Sequence, residues 1–338
     1  MTITAPAPLL RGKGEIAIVD REYRDPGVGE LLIAVRANAL CGTDRNFFVN
    51  GSPTVSGHEA AGVVVAGGRD TTLAPGTRGV VFLMDYCGTC RSCRIGATNQ
   101  CLAKRADMGI NTDGGYGPYE IVHESNFFPI TDDIDFPTAT MLLDVMGTSG
   151  HAIARARLVR PDVESIYISG AGPIGLGLLV MSKLTFGDQM PVFISDVSAW
   201  RRDFASTFGG VPIDATDASM MKQVGRPDIA FDSSGKAIAR RGALDVLAQR
   251  GVLVCVGHGE TLTLDVSNDL LAPEHAVLGS EYFRFDELAA NLDLLQKHQD
   301  IVSRVITHRL PIHRLDEAFD LFLGGETGKV VVVQGGEE

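Results

Sequence analysis

The middle of the chain alternates short apolar runs with longer apolar segments. The short runs are rich in β-branched and aromatic residues, and the longer segments have the length of helices. Strands that alternate with helices are typical of a parallel sheet covered on both faces. The pattern therefore predicts an α/β fold with a doubly wound parallel sheet. The predicted strands are 166–168, 192–195, 229–232 and 252–256, and the predicted helices are 176–184 and 237–249.

Two runs in the N-terminal part of the chain also have strand character. Residues 31–35 and 63–66 are short, apolar and rich in aliphatic side chains, which predicts a strand in each. Cys41 follows the first run, and His58 and Glu59 precede the second. A thiol, an imidazole and a carboxylate are thus expected beside strand ends.

A glycine-rich turn follows the first of the central strands. It has the pattern GxGxxG and lies between the predicted strand 166–168 and the predicted helix 176–184. The first glycine permits a tight turn, the second lets the backbone approach a pyrophosphate, and the third lets helix and strand pack closely. Amides at the start of the helix then face the anion. The turn predicts a dinucleotide site formed by Gly170, Gly172, Pro173, Ile174 and Gly175.

The second central strand leads to Asp196, twenty-one residues after Gly175. An acidic side chain at this place accepts a hydrogen bond from the adenosine ribose 2′-hydroxyl, which favours NAD. Arg201 and Arg202 follow closely, and their charge would favour the 2′-phosphate of NADP instead. We expect NAD as the coenzyme, bound by Asp196 and Arg201 and by Gly257 after the fourth central strand.

Four of the six cysteines lie within fifteen residues, as Cys87, Cys90, Cys93 and Cys101. Two-residue gaps let a turn direct adjacent thiolates at one tetrahedral ion, and four sulfur ligands leave no position open. The spacing predicts a structural zinc site. Two disulfides are an alternative, but cysteine pairs this close in sequence are strained. A nucleic-acid-binding zinc ribbon is disfavoured, because three cysteines crowd together in an acidic chain.

Cys41 and His58, with a carboxylate beside the histidine, form a second possible zinc site. Cysteine, histidine and carboxylate are ligands of catalytic zinc, which keeps one position free for water or substrate. A partly buried histidine and a small core cysteine would explain the same residues. On the residues alone, both explanations stay open.

Composition and charge exclude several classes of partner. The chain has 338 residues, enough for two domains, and its 21% of charged residues is ordinary for a globular protein. No apolar run approaches the roughly 18 residues that a membrane-spanning helix needs. The net charge of −12 disfavours nucleic acid. The first ten residues lack the basic start of a secretory signal, so we expect a cytoplasmic protein without membrane or nucleic-acid partners.

Four motifs together resemble the zinc-dependent medium-chain alcohol dehydrogenases. Cys41-Gly-Thr-Asp44, Gly57-His-Glu-Ala-Ala-Gly62, the four clustered cysteines and the glycine-rich turn occur in that family's order and approximate spacing. The resemblance spans nearly the whole chain. It implies a GroES-like, mainly β catalytic domain at 1–145 and 286–338. A Rossmann NAD-binding domain is implied at 146–285.

The same resemblance assigns further roles. Asp144 stands where family members carry cysteine, glutamate or aspartate as a zinc ligand, although it would also suit a helix cap ahead of Thr148. Glu59 is similar to a glutamate that ligates zinc in some members as water leaves. Asp44 is similar to the carboxylate that orients the ligand histidine. Thr43 corresponds to the hydroxyl that takes the alcohol proton.

The implied reaction is hydride transfer from a secondary alcohol, polyol or sugar hydroxyl to NAD. Zinc held by Cys41, His58 and Asp144 is implied to stabilise the substrate alkoxide. Many relatives pass the alcohol proton on to a histidine five residues after the first cysteine. Asn46 occupies that position, so the usual proton exit is in doubt.

Two zinc ions per chain, a small-molecule substrate and a homodimer or homotetramer are also implied. Residues 262–264 are expected to form an edge strand of the Rossmann sheet that pairs with its copy. A zinc-free quinone-reductase-like enzyme would lack Cys41, His58 and the cysteine cluster. A non-catalytic nucleotide-binding sensor or scaffold is the other alternative, and it would need no open zinc site.

Overall fold

The computed structural model describes residues 2–336, and contacts among them divide the chain into two units. Unit 1 contains residues 2–143, 284–324 and 329–336. Unit 2 contains residues 144–283 together with the short segment 325–328. Unit 1 is therefore assembled from both ends of the chain, with nearly all of unit 2 inserted between them.

The described residues form both strands and helices. The strands in chain order are β1 (Ile3–Gly12), β2 (Glu15–Tyr23), β3 (Glu30–Ala39), β4 (Ala60–Gly67), β5 (Arg78–Val81), β6 (Met84–Asp85), β7 (Ala106–Asp107), β8 (Tyr119–His123), β9 (Phe127–Pro129), β10 (Ile166–Ser169), β11 (Val192–Asp196), β12 (Val211–Asp214), β13 (Ile229–Asp232), β14 (Val252–Cys255), β15 (Ala276–Gly279), β16 (Ile306–Pro311) and β17 (Lys329–Val333). The α-helices are α1 (Gly42–Asn50), α2 (Arg91–Arg94), α3 (Phe136–Ala139), α4 (Ser149–Val159), α5 (Pro173–Phe186), α6 (Ala199–Ser206), α7 (Ala218–Met221), α8 (Ala237–Asp245), α9 (Glu287–Lys297), α10 (Gln299–Val302) and α11 (Leu315–Gly324).

Unit 2 contains one parallel sheet of six strands in the order β12-β11-β10-β13-β14-β15. The doubly wound parallel sheet predicted from the sequence is thereby confirmed. β10 and β13 are buried along their whole length, which explains their largely apolar sequences. The direction in which the chain adds strands reverses between β10 and β13. Loops at the carboxyl ends of strands form a crevice at such a reversal, and dinucleotides bind there.

Helix α5 begins directly after the turn that follows β10. Pro173 occupies its first turn, where the fixed φ of proline suits a helix and its missing N–H leaves no bond unmade. The helix ends before Gly187, whose φ of 95° is a conformation that favours glycine. Residues 175–182 of this helix are all buried, which explains why the sequence shows an unbroken apolar stretch rather than an amphipathic one.

Two details of unit 2 differ from the sequence predictions. Residues 262–264 do not form a strand, and the edge strands of the sheet are β12 and β15, so the predicted edge was wrong. Leu262 and Leu264 instead pack, partly buried, against the apolar cluster under the sheet. Their alternation therefore reflects packing of an extended segment rather than strand pairing. The helix predicted over 237–249 ends at Asp245, and a turn follows that includes Arg250 at a φ of 62°.

The larger sheet of unit 1 combines strands from both ends of the chain. Its main order is β16-β17-β3-β4-β5-β9, and β8 also pairs with β3. β8 pairs with the first half of β3, from Glu30 to Ala34, and β17 pairs with its last residues, 37–39. All of these pairings are antiparallel except that between β16 and β17. The predicted strands at 31–35 and 63–66 lie within β3 and β4.

An apolar cluster anchors α1 to the C-terminal part of unit 1. The ring of Phe48 on α1 stacks on Phe319 of α11 at a centroid distance of 4.3 Å. Tyr116 meets Phe319 edge-on and has no exposed surface. These contacts hold α1 in place directly after β3.

Over residues 2–336, none of the helices combines the length and apolar character required to cross a bilayer.

Candidate active site and coenzyme site

The four clustered cysteines converge in unit 1. The Sγ atom of Cys93 lies 3.5 Å from that of Cys90 and 4.0 Å from that of Cys87. The Sγ atoms of Cys90 and Cys101 are 3.9 Å apart. Four sulfurs bound at about 2.3 Å to one tetrahedral zinc ion lie about 3.8 Å from one another, so this spacing fits zinc. All four are free cysteines, and their separations far exceed the bond length of a disulfide.

Backbone amides donate to the sulfurs of Cys87 and Cys90 and favour the thiolate form of these two residues, whereas burial raises the pKa of Cys93 to about 12. Cys87 Sγ accepts hydrogen bonds from the N–H groups of Thr89 and Cys90, at 3.5 and 3.3 Å. These bonds lower the pKa of Cys87 to about 6. Bonds from the N–H groups of Cys93 and Leu102 lower the pKa of Cys90 as well. Because zinc binds the thiolate, the cluster is preorganised for the metal.

A second set of ligand atoms lies between β3 and β4 of unit 1. Cys41 caps the N-terminus of α1 just after β3, and His58 immediately precedes Glu59 and β4. The ligand atoms of these three residues lie within 4.8 Å of one another. His58 and Glu59 are buried, and Cys41 is half-buried. Sulfur, imidazole and carboxylate in this arrangement suit a zinc ion with an open coordination position.

Asp44 connects the start of α1 to the buried Tyr116 side chain. Its Oδ2 accepts hydrogen bonds from the Cys41 N–H at 2.9 Å and from the Tyr116 hydroxyl at 2.8 Å. Its Oδ1 lies 4.0 Å from His58 Nδ1, longer than a hydrogen bond. Burial, followed by the charge of Asp44, raises the pKa of Tyr116 well above its ordinary value. The hydroxyl thus stays protonated and donates to Asp44.

Lys329 of β17 forms a buried ion pair with Glu59. Its Nζ donates to Glu59 Oε1, and both side chains are at most 1% exposed. The N–H of Glu59 donates to Asn38 Oδ1 at 3.1 Å, which fixes the backbone next to His58. Sequence reasoning missed this pair, because 270 residues separate its members. A lysine at the start of an apolar strand is the local signal that could have found it, since a buried lysine needs an acidic partner.

Thr43 and Asn46 lie three residues apart on α1, and both are exposed. Residues at this spacing share one face of a helix. Asn46 Oδ1 accepts a hydrogen bond from Asn50 Nδ2 at 2.7 Å. An amide bonded to another amide has no group that titrates near neutrality.

Asp144 is the first residue of unit 2 and is buried. Its Oδ1 accepts a hydrogen bond from Thr148 Oγ1 at 2.9 Å, so one face of the carboxylate is fixed by its own helical turn. Residues Asp144–Thr148 form a wide helical turn that leads into α4. Such π-type turns occur frequently at functional sites.

The glycine-rich turn has the geometry expected of a pyrophosphate cradle. Gly170 has a φ of 95°, and a Cβ on Gly175 would lie 1.9 Å from the Gly170 carbonyl oxygen. A side chain at either position is therefore excluded. A Cβ added to Gly172 would instead meet Arg201 Nη1 at 3.8 Å and no other atom of residues 2–336 within 4 Å. The space in front of Gly172 and the first turn of α5 can accept a ligand.

Asp196 ends β11 and faces this turn. Its Oδ2 accepts the N–H of Ala171 at 2.9 Å, and its Oδ1 accepts the N–H of Ser198 at 2.9 Å. Arg201 Nη1 lies 3.7 Å from Asp196 Oδ2, while its Nε donates to the Gly325 carbonyl at 2.8 Å. Each carboxylate oxygen keeps a second lone pair for another donor.

Two further residues named from the sequence also lie in unit 2. The Nη2 of Arg202 forms an ion pair with Asp214 at 2.7 Å, and its Nη1 donates to the backbone carbonyl of Asp196 at 2.9 Å. Gly257 follows β14, where its N–H donates to the Asp232 carbonyl at 2.8 Å. A Cβ at Gly257 would lie 2.5 Å from the nitrogen of Gly235, so the loops after β13 and β14 touch at this glycine.

Comparison with known proteins identifies both parts of the chain. Residues 27–132 match the alcohol dehydrogenase GroES-like domain, and residues 145–333 match the glucose dehydrogenase C-terminus. The chain is 30% identical to L-threonine 3-dehydrogenase of Anaeromyxobacter sp. (strain Fw109-5), covering 95% of this chain and 96% of the relative. It is 29% identical to L-galactonate-5-dehydrogenase of Escherichia coli (strain K12), over 90% of this chain and 92% of the relative.

A solved structure shares the fold across nearly the full length. A protein from Sinorhizobium meliloti 1021, crystallised with bound NADP, superposes with a TM-score of 0.85 at 27% identity, covering 98% of this chain and 100% of its own. The expected combination of a GroES-like domain with a Rossmann-type parallel sheet is confirmed. The chain belongs to the zinc-dependent medium-chain alcohol dehydrogenase family and is an oxidoreductase.

Proposed function

We propose that the protein oxidises the CH–OH group of a secondary alcohol, polyol or sugar-derived substrate and transfers its hydride to NAD. The observation that carries this proposal is the cluster of Cys41, His58 and Glu59, which combines a thiol, an imidazole and a carboxylate beside a buried lysine. The relatives named above act on L-threonine and L-galactonate, and both names denote molecules with secondary hydroxyl groups.

The catalytic zinc would be held by Cys41, His58 and Asp144, in the division of roles that the family resemblance implies. When bound, zinc supplies a Lewis acid for the substrate oxygen, and NAD supplies the hydride acceptor. Glu59 remains paired with Lys329, which keeps its negative charge balanced inside the protein. Unit 1 thereby acts as the catalytic domain. A second zinc ion is assigned to Cys87, Cys90, Cys93 and Cys101.

Residues around the ligands provide positioning and proton transfer. Asp44 fixes the backbone at Cys41 and lies on the Nδ1 side of His58. Thr43 accepts the alcohol proton through its hydroxyl. Asn46 cannot continue the transfer as a histidine would, because its amide does not titrate near neutrality. A bound coenzyme would supply its ribose hydroxyl as the next proton carrier towards water.

Metal analysis combined with a substrate screen tests this function. Protein purified without chelator is expected to contain two zinc ions per chain. It is expected to form NADH from at least one member of a panel of secondary alcohols, polyols, sugar acids and amino alcohols. Tight NADH binding without turnover on any member would point instead to a nucleotide sensor. One zinc ion or fewer would contradict the assignment of the two metal sites.

The coenzyme preference is expected to be for NAD over NADP. A 2′-phosphate beside the Asp196 carboxylate would bring like charges together in a largely buried place. Arg201 is already bonded to the Gly325 carbonyl, and Arg202 is paired with Asp214. Asp196→Ala is expected to narrow the ratio of kcat/KM for NAD to that for NADP by about tenfold or more.

Steady-state kinetics with both coenzymes measure this ratio, and Asp203→Ala on the exposed side of α6 is the matched control. Equal or greater efficiency of the unaltered protein with NADP would overturn the prediction. It would show that Arg201 outweighs Asp196.

Removal of the Thr43 hydroxyl is expected to lower kcat by about 100-fold, because the first proton acceptor is lost. Thr43→Ser retains a hydroxyl and should restore most of the activity. Asn46→Ala, on the same face of α1, should change kcat by about twofold at most, since an amide takes no proton. Steady-state kinetics from pH 6 to 10 provide the measurement. Near-normal activity of Thr43→Ala would show that the proton leaves by another group.

We also propose a homodimer or homotetramer, by resemblance to the family. Within the described residues, β15 pairs with β14 alone and so presents one edge of the unit 2 sheet. An open edge is commonly covered by a second chain. Sedimentation velocity at micromolar concentration is expected to show a species of at least twice the chain mass of 36.0 kDa. A single species at the mass of one chain would contradict this.

A further inference from the structure

We propose that Arg240 is a positioning residue for the nicotinamide half of the coenzyme. It holds together the loop after β13 and the loop after β14, at the carboxyl edge of the unit 2 sheet. The inference rests on the proposed binding of NAD to unit 2. Neither the glycine-rich turn nor Asp196 at the end of β11 indicates this role for Arg240.

The guanidinium of Arg240 makes three contacts and is almost fully buried. Its Nε donates to Asp232 Oδ2 at 2.6 Å, and Asp232 has no exposed surface. Its Nη1 donates to the Glu260 carbonyl, and its Nη2 donates to the Gly257 carbonyl. One rigid planar group thus ties the end of β13 to two points of the loop 257–260. Lysine could not reproduce this, because its ammonium is a single point of charge.

Asp232 in turn organises the loop after β13. Its Oδ1 accepts the N–H groups of Ser234 and Gly235, at 3.0 and 3.2 Å, and the Ser234 hydroxyl at 2.7 Å. The carboxylate therefore receives donors from its own loop on one oxygen and Arg240 on the other. Asp232 and Arg240 therefore connect the two loops in one hydrogen-bonded network.

Further bonds connect these loops with the glycine-rich turn. The N–H of Glu260 donates to the Gly235 carbonyl at 2.7 Å. Ser233 Oγ donates to the Gly170 carbonyl at 2.9 Å, directly at the first glycine of the turn. A shift of the loop 257–260 would consequently move the loop after β13 and disturb the backbone at Gly170.

The place of this network in the sheet indicates which part of the coenzyme it serves. The pyrophosphate site at α5 lies where the strand order reverses between β10 and β13. Asp196, on the β11 side of that point, is suited to the adenosine ribose. A dinucleotide that spans the crevice therefore extends its nicotinamide half over β13 and β14. The loops that Arg240 holds are the ones that follow these two strands.

Energetics favour a positioning role over a stabilising one. A buried ion pair contributes little net stability, since desolvation of both charges offsets their attraction. The two carbonyl bonds orient a loop that has no regular secondary structure of its own. Preorganised loops lower the cost of ordering on binding, so the contribution is expected in coenzyme affinity and rate.

The test compares Arg240→Met with Arg241→Met, its neighbour on α8. Arg241 is a matched control because it pairs with Asp245 and Asp269 away from these loops. Dissociation constants are measured for NADH, and for 5′-AMP as a probe of the adenosine half alone. Arg240→Met is expected to weaken NADH about tenfold and to leave AMP binding within about twofold. It should lower kcat by up to about 100-fold through misplacement of the nicotinamide. Arg241→Met should leave all three values unchanged.

Arg240→Lys serves as a second variant that keeps the charge beside Asp232. It is expected to fold and still to weaken NADH selectively, because it lacks the fork that reaches both carbonyls. This variant decides the question if Arg240→Met does not fold. Unchanged NADH binding in Arg240→Lys, or equal weakening of NADH and AMP, would overturn the inference. Failure of the unaltered protein to bind NADH would overturn the proposed function as well, which distinguishes the two failures.

Discussion

Cys41→Ser is expected to lower kcat/KM by about three orders of magnitude or more and to leave the fold intact. The thiolate is one of the ligands proposed for catalytic zinc, and its loss removes the Lewis acid from the reaction. Cys41 lies at the N-terminus of α1, where the Asp44 and Tyr116 side chains keep their mutual bond without it. Thermal unfolding should therefore change by only a few degrees. Kinetics, zinc content and circular dichroism on one preparation give the measurement.

Cys93→Ser should instead destabilise the fold. A closed four-cysteine site contributes metal-binding energy to folding, so its loss is expected to cause partial unfolding or aggregation. Cys255→Ser is the control for both, because Cys255 lies on β14 outside the two clusters. Full activity of Cys41→Ser, or equal stability of Cys93→Ser and the control, would contradict the assignment of one open and one closed site.

Glu120→Gln is expected to stabilise the protein at alkaline pH by several kcal/mol. Glu120 lies on β8 opposite Ile33 of β3 and is 1% exposed. Neither of its carboxylate oxygens has a hydrogen-bond partner among residues 2–336. Burial, together with the charge of Asp113 and against that of His58, raises the pKa of this carboxyl to about 8. At neutral pH the group is therefore mostly protonated.

The sign of the pH dependence follows from this pKa. Below the ordinary value of 4.5, the carboxyl is protonated in both the folded and the unfolded chain, so its ionisation does not change the free energy of unfolding. Between 4.5 and about 8, the unfolded chain releases a proton that the folded chain retains, so stability falls as pH rises. Above about 8, the folded protein carries a buried charge. The stability difference between Glu120→Gln and the unaltered protein should change by about 4 kcal/mol between pH 5 and pH 9.

Denaturant unfolding at pH 5, 7 and 9 measures that difference. Glu22→Gln, an exposed carboxyl on β2, is the control and should show no such pH dependence. Tyr23 lies near Glu120, and burial raises the pKa of the Tyr23 hydroxyl above its ordinary value of 10.0. Tyr23 therefore does not titrate between pH 5 and pH 9. A stability difference that is independent of pH would contradict the prediction. It would show that folding does not raise the pKa of Glu120.

Local motifs were predictable because their chemistry lies within a few residues. The four cysteines and the glycine-rich turn need only a short segment to bring their groups together, and their spacing alone carries the signal. The parallel sheet was predictable for a similar reason, since four of its six strands are short, separate apolar runs, although β12 and β15 were not predicted.

Partners that are distant in the sequence were not predictable. Glu59 and Lys329 meet only because β17 pairs with β3, and nothing near Glu59 indicates a buried cation. Arg240 lies on a helix whose pattern shows an ordinary amphipathic segment. The error at 262–264 has another cause, because alternation of apolar residues fits both a paired strand and an extended segment that packs on a core.

The pairing of β17 with β3 has a consequence for synthesis on the ribosome. The chain emerges from its N-terminus, and domains generally fold as units while synthesis continues. All six strands of the unit 2 sheet lie between Ile166 and Gly279, so this sheet can close while later residues are still being added. β3 acquires its β17 neighbour only after some 290 further residues have been made, and until then Glu59 lacks Lys329. The nascent protein can therefore complete the unit 2 sheet before the surroundings of the proposed catalytic metal site are in place, which would delay any chemistry until the chain is nearly finished.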